Sequence, residues 1–565
     1  MTETPSSGVP NPASPGSGPS PSPTRSSPER KPDMTTTTSA QWTEHYLRTD
    51  DGPFIVLGAE VHNSSSSSLP AITESFATVH RLGANTVLAP VAWDLFEPEE
   101  GRFDTTLIDA MIETATDLGL RLVPLWFGAW KNAVSTYAPG WVKTDQQRFP
   151  RALSKDGARL DHLTPFCDAT RDADGRAFAA LMRRITEKDR DGTVLMVQIE
   201  NEIGLLGATR DYSDLAEAAF AGLVPDAVVT AVQGEPGTPV HLAWMDMGRL
   251  SSGTWTDVFG DHAVAHEAFM AAAYAAYVQE VAAAGREETD LPYFVNAWLD
   301  ADSVLDGPVA LAGGKEPGEY PSGGPVARVA GIWEALAPQL DLLAPDMYVA
   351  DADPVFTAFA GRRNRLFIPE LRADAVGIGQ MFAALGSYRA IGVSPFGIDS
   401  LDPDDPSSAQ VVDTYGLLAI AAELLRRDPA ARTMGFMLDD EHPDVVISFP
   451  SAELRINTRS PWIPAQPVYP AYGIAIEDGD GVFVIGRGFW VTVEPSDTGT
   501  PSLLSADEYS LIDRELVVTR RLNGDETAAG TLVPFPFANS PMLTDRVIPT
   551  RLPDAGAVRF RVFHY

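Results

Sequence analysis

The chain has 565 residues, 44% of them hydrophobic and 9% aromatic, and a formal charge of −35 at pH 7. That length accommodates two or three domains with a large core. The charge argues against DNA, RNA or an anionic membrane as partner, because neutralising phosphates needs clustered Lys and Arg. Cys167 is the one cysteine, so no intramolecular disulfide forms, and it reads as a small buried hydrophobe.

Residues 1–40 are mostly Ser, Pro, Thr and Gly. Such a segment cannot bury enough apolar surface to offset its ordering entropy, and disorder is expected. Met34, near its end, is a candidate second start of translation. The N-terminus lacks the basic-then-apolar pattern of a signal peptide, and no run approaches the ~20 apolar residues of a membrane span. A cytoplasmic protein is the expectation.

From 41 to 432 the pattern is a short apolar run, a polar loop, an amphipathic helix and the next run. The predicted strand–helix units begin with Phe54–Val61 and Pro70–Arg81, then Thr86–Ala92 and Thr106–Leu118. Arg121–Phe127 is followed by Ala173–Lys188, and Thr193–Ile199, after a long excursion, by His266–Ala284. The remaining strands are Tyr293–Trp298, Leu340–Tyr348, Leu366–Pro369 and Pro395–Ile398, with helices Val326–Leu336, Gln380–Ile391 and Val411–Arg426. Eight strands alternating with helices over roughly 370 residues fit a (β/α)8 TIM barrel with loop insertions. A doubly wound open sheet also alternates, but no glycine-rich phosphate loop follows the first strand.

Over 433–565 the helical period disappears. Short strand-like runs at Val445–Phe449, Ala471–Ile476, Val482–Ile485, Trp490–Val493, Glu515–Arg521 and Val558–Phe563 predict a C-terminal antiparallel β-sandwich. Asp478-Gly479-Asp480-Gly481 lacks the downstream Glu of a calcium loop and reads as a hairpin turn.

Active sites of such barrels lie at the C-terminal strand ends. The strands deliver Glu60 and His62, then Trp93, then Trp126 with Trp130, Lys131 and Asn132. The fourth gives Asn201 and Glu202, the fifth Asn296 and Trp298, the sixth Asp346 and Tyr348. The seventh gives Glu370 and Arg372, the eighth Asp399. Carboxylates, amides and aromatic faces suit a neutral polyhydroxylated ligand, so a carbohydrate is the expected partner. Carboxylates on strands four and seven suit glycoside hydrolysis, in which one protonates the leaving oxygen and the other acts at the anomeric carbon. The bland alternatives are an ion pair of Glu370 with Arg372 and a loop salt bridge for Glu202. Glu200 is expected to pair with a neighbouring cation. Trp126, Trp130, Trp244 and Trp298 either line the pocket or fill core. Ser64–Ser68 lack a nucleophile elbow and read as a rim loop capping the next helix. His262 and His266 share an i, i+4 spacing but have no third ligand, so no metal and no cofactor is expected.

Gln198-Ile199-Glu200-Asn201-Glu202-Ile203-Gly204 resembles the acid/base signature of glycoside hydrolase family 35, the β-galactosidases. Trp93–Asp104 resembles that family's stretch after the second strand, and Phe367-Ile368-Pro369-Glu370 falls where its nucleophile stands. The resemblance spans about 50–430, and the C-terminal part is similar to a poorly characterised module on one bacterial branch. It implies a retaining mechanism with Glu202 as acid/base and Glu370 as nucleophile, Asn201 on the sugar 2-hydroxyl, and Tyr348 orienting Glu370. Departures occur at Ile203, where the family has an aromatic residue, and at Asp191-Gly192, where it has Gly-Gly-Pro. Asn63 and five serines follow His62 in place of His-Tyr, and Trp126–Asn132 replaces a Cys-Ala-Glu sugar-contacting loop. The first and third strands build the pocket that reads sugar hydroxyls, so the sugar's identity does not follow from the motif. The expected activity is removal of terminal β-galactosyl residues. A β-glucosidase, an α-L-arabinopyranosidase and a non-catalytic sugar-binding protein are the alternatives, and self-association into a homo-oligomer stays open.

Overall fold

The computed structural model describes residues 41–42, 46–301, 313–362, 365–459, 470–494, 499–537 and 556–565. The segment 1–40, with the expected disorder and Met34, lies outside the described residues.

Eight parallel strands form the barrel: β1 Val56–Glu60, β2 Thr86–Ala92, β3 Arg121–Phe127, β4 Val197–Ile199, β5 Tyr293–Ala297, β6 Leu342–Pro345, β7 Phe367–Leu371 and β8 Gly392–Pro395. Their order is β6-β5-β4-β3-β2-β1-β8-β7. A parallel bridge from Met347 to Leu371 all but closes the ring between β6 and β7. These strands are buried inside and out, which is why they read as apolar runs rather than alternating ones. The helices between them follow capping chemistry. Ser68, last of the serine run, accepts the Ala71 N–H at the start of helix Leu69–Leu82, and Gly83 ends that helix at φ 98°.

Three expectations need correction. The eighth strand is Gly392–Pro395 and not Pro395–Ile398, because Phe396-Gly397 turns the chain into a short 3-10 helix over Ile398–Ser400. The helix after β7 begins at Ala375, capped by Asp374, and ends at Ser387. Pro406–Arg427 does have the length and composition of a membrane span. It serves here as a core helix, with Tyr415, Leu418 and Ala421 buried and the Tyr415 hydroxyl donating to Gly58 O at 2.6 Å. The excursion before helix Ala263–Arg286 contains four short helices, Asp214–Phe220, Asp226–Gln233, Pro239–Asp246 and Trp255–Phe259.

The C-terminal region is two antiparallel sheets. One has six strands, Thr433–Leu438, Ala471–Asp478, Gly481–Arg487, Ala557–His564, Pro501–Ile512 and Glu515–Leu522; the other has four, Asp444–Phe449, Ala452–Asn457, Phe489–Val493 and Leu532–Phe535. Asp478 pairs with Gly481 across the expected hairpin turn, and Gly479 takes φ 59°. In the six-stranded sheet, Ala475, Val482 and Val484 join the apolar core shared with the second sheet. Alternate residues Tyr472, Ile474, Phe483 and Ile485 join the barrel core. Contact is backbone to backbone at one point, since a Cβ on Gly386 would lie 2.3 Å from Gly435 N. Any side chain there would force helix and sheet apart.

Candidate active site

The site grows from the end of β4. Its ladder stops at Ile199, and Glu200 (φ 60°) and Glu202 (φ 48°) then adopt the left-handed region. Non-glycine residues rarely do this, and the change breaks the two-residue alternation that would aim Asn201 and Glu202 at opposite faces. The Glu202 N–H donates to Asn296 Oδ1 at 2.8 Å, and Glu202 Oε2 accepts Asn132 Nδ2 at 2.5 Å. Asn296 in turn donates through Nδ2 to Asp346 Oδ2 at 2.8 Å. From β7, Glu370 accepts the Tyr348 hydroxyl. Arg372 pairs with Asp374 instead, its Nε 2.8 Å from Oδ1.

Four buried carboxyls, Glu60, Glu202, Asp346 and Glu370, thus share one mouth with one buried cation, Lys131, which is 3% exposed. Burial and the Glu370 charge push Glu202 up to about 8, against smaller opposing effects of Lys131 and Asn132. The same two causes hold Glu60 and Asp346 well above the usual carboxylate range. Burial and then Glu370 also raise the Tyr348 phenol, so it stays a hydroxyl donor. Glu60 Oε1, Asp346 Oδ1, Glu370 Oε2 and Asn201 Nδ2 are buried with no protein partner. Buried polar atoms rarely go unpaired, and these suit the hydroxyls of a ligand.

Of the predicted residues, the structure brings together Glu60, Asn201, Glu202, Asn296, Tyr348 and Glu370. His62 sits exposed at the rim, its Nε2 2.8 Å from Ser400 Oγ, and Asp399 accepts its backbone N–H. Trp298 is half-buried and donates to Gly313 O. The other three tryptophans fall outside this group. Trp93 is fully buried and donates to Glu97 at 2.8 Å. Trp126 packs on Phe178 of helix Asp168–Lys188 and donates to Asp174 at 2.8 Å. Trp130 packs edge-on against Tyr274 and Tyr277 of helix Ala263–Arg286. Trp93 and Trp126 thus fill core at the wall, with their indole N–H groups paired, while Trp130 keeps its buried Nε1 without a protein partner. Glu200 faces the Asp174 carboxyl, not a cation. His266 bridges Thr209 and Asp261 while His262 caps its helix, so both serve local structure.

The sequence reading gave no role to Lys131, Asn132 or Asp346, although all three stand at strand ends. Asp174 was missed outright. Its signal is its place among Ala177, Phe178 and Leu181 on one helix face, an acid inside an apolar stripe.

A parallel eight-stranded barrel with buried acids at the ends of β4 and β7 is the frame of a glycoside hydrolase. Residues 46–274 match the model of glycosyl hydrolases family 35, and residues 411–534 match a domain of unknown function, DUF5597. The family resemblance read from the motif is borne out. No curated protein matches the chain. Among solved structures it is similar to the beta-galactosidase of the psychrophilic Marinomonas ef1, with 14% identity, a TM-score of 0.45 and coverage of 66% of this chain and 60% of that one. For the beta-galactosidase of the haloarchaeon Halorubrum lacusprofundi the values are 16%, 0.43, 65% and 58%. For the catalytic domain of the Paenibacillus polymyxa beta-amylase they are 13%, 0.45, 64% and 97%.

Proposed function

We propose that the protein is a retaining exo-glycosidase that removes terminal β-galactosyl residues from oligosaccharides or glycosides. The observation that carries this reading is the placement of two buried glutamates at the ends of β4 and β7: burial and the Glu370 charge push Glu202 up to about 8, while Glu370 accepts a tyrosine hydroxyl and has one buried oxygen without a protein partner. Glu202 then gives its proton to the glycosidic oxygen as that bond breaks, and Glu370 attacks the anomeric carbon to form a glycosyl ester. Glu202, now ionised, takes a proton from water, whose oxygen displaces Glu370 and releases the sugar. Lys131 offsets negative charge that the cycle moves between the carboxyls.

A panel of nitrophenyl glycosides tests the sugar. Preferred cleavage of the β-galactoside supports the reading, and preference for a β-glucoside or α-L-arabinopyranoside replaces it. Azide rescue of Glu370→Gly, giving a glycosyl azide, tests the nucleophile. Full activity in Glu370→Gln would exclude the mechanism.

A further inference from the structure

Behind the barrel wall at β4 two carboxyls meet without a cation among their hydrogen-bond partners. Glu200 and Asp174 are both fully buried. A Cβ on Gly128 would lie 2.8 Å from Glu200 Oε1 and 2.9 Å from Asp174 Oδ1, so both oxygens converge on one glycine. Asp174 accepts the Trp126 indole N–H on Oδ1 at 2.8 Å and the Tyr277 hydroxyl on Oδ2 at 2.9 Å. Glu200 Oε2 accepts the Trp130 N–H at 2.7 Å, and Oε1 receives no donor. Two ionised carboxylates so placed in a dry interior would repel, and a proton between them resolves the conflict. Asp174, which alone of the two accepts side-chain donors, from Trp126 and Tyr277, is the carboxylate; Glu200 is the acid. Burial and the Asp174 charge push Glu200 in that direction.

The pair also anchors the segment that presents Glu202. Four hydrogen bonds tie 130–132 to 200–202. Trp130 N–H reaches Glu200 Oε2 at 2.7 Å, Asn201 N–H reaches Trp130 O at 3.2 Å, and Asn132 N–H reaches Asn201 Oδ1 at 3.3 Å. The last is Asn132 Nδ2 to Glu202 Oε2 at 2.5 Å. Glu200, Glu202 and Asn132 all have positive φ, so neither segment holds this shape by its own preference.

We propose that Glu200 and Asp174 share one proton as a buried acid–carboxylate pair, and that this pair positions Glu202 for proton transfer. The inference rests on the reading of Glu202 as acid/base, and Glu200 itself touches no substrate.

The test compares Glu200→Gln with Glu200→Ala in the full-length protein, on an unactivated disaccharide and a dinitrophenyl glycoside. Gln keeps a donor toward Asp174 and an acceptor for Trp130, so kcat stays within about threefold of wild type on both substrates. Ala releases the ladder, so kcat/KM, which reports the bond-breaking step, falls at least about tenfold on the disaccharide and much less on the dinitrophenyl glycoside, whose leaving group needs little acid assistance. In a Glu202→Gln background, the infrared carbonyl band of a protonated carboxyl persists at neutral pH and is weakened by adding Glu200→Gln. Gln as harmful as Ala, equal losses on the two substrates, or an unchanged band would each overturn the proposal. If Ala fails to fold, the Gln variant's kinetics and the infrared band decide it. Should Glu202→Gln prove fully active, the functional reading fails and takes the positioning role with it. The band then still judges the shared proton.

Discussion

The C-terminal sheets and the barrel mouth handle buried charge in opposite ways. In the sheets, buried or half-buried charges meet opposites: Arg487 with Asp413, Arg520 with Glu508, Arg521 with Asp507 and Arg559 with Asp478. In the mouth, four carboxyls share Lys131, and behind the wall two more share no cation. Pairing is what a structure does with charge it must bury for folding. Unpaired acids are tolerated only where the surrounding fold holds them, and such places are where function concentrates. Sequence composition hides this, because acids are spread through the whole chain. The partner each one finds is what separates the two regions.

That contrast breaks most sharply at the mouth itself. Glu370→Gln should lower kcat by about 10⁴-fold or more, as removal of a nucleophile does, and Glu202→Gln by about 10²–10⁴-fold on an unactivated glycoside. Steady-state kinetics on the best substrate checks both. Changes outside the site that remove a paired charge should leave kcat near wild type and act on stability instead. Arg487→Met strands Asp413 at the junction of sheet and barrel, where the Arg487 Nη2 to Asp413 Oδ1 distance is 2.6 Å. Asp413 is partly exposed, so the expected loss is about 1–3 kcal/mol, read by urea unfolding.

The stability effect should reverse sign for Glu202. Its folded pKa of about 8 lies above its unfolded value, so its contribution is fully present below the unfolded pKa and is lost as pH rises through about 8. Glu202→Gln removes that dependence. The variant should match wild type near pH 4 and exceed it by about 1–3 kcal/mol near pH 8, although it is nearly inactive. Denaturant melts at the two pH values measure this, and a destabilised variant at pH 8 would contradict the assignment. The same pKa places the basic limb of kcat/KM near pH 8. Lys131 lowers it, so Lys131→Met should move the limb to higher pH.

Much of this was legible in the sequence because the barrel strands are apolar on both faces and the pair Glu202 and Glu370 falls at fixed places in the repeat. Strand ends could be located only to within a few residues. Gly392-Val393-Ser394 contains too little apolar bulk to announce itself, so the eighth strand was expected too late. Thr433–Leu438, Ala452–Asn457, Pro501–Ile512 and Leu532–Phe535 went unseen for related reasons. They mix Gly, Pro or charged residues into the run, and tertiary pairing decides them. Strict alternation along β4 would aim Asn201 and Glu202 at opposite faces, and positive φ at Glu200 and Glu202 breaks it. Which side of the wall a residue faces did not follow, and that ambiguity kept Trp93 and Trp126 among the pocket candidates when both pack into the core.

Trp126 gives the smallest effect and the cleanest separation of these two sides. Had it lined the sugar pocket, Trp126→Phe would raise KM for every glycoside by removing a stacking face. In the structure its ring lies 6.2 Å from Phe178 and 6.3 Å from Trp93, centroid to centroid, and its N–H reaches Asp174. Phenylalanine keeps most of that packing and deletes one donor. Asp174 then keeps the Tyr277 hydroxyl and becomes a stronger base toward Glu200. KM should therefore be unchanged, and stability should fall by about 1–2 kcal/mol for the lost hydrogen bond and the smaller ring. A several-fold rise in KM with intact stability would return Trp126 to the pocket and erase the line drawn between the charged mouth and the wall that supports it.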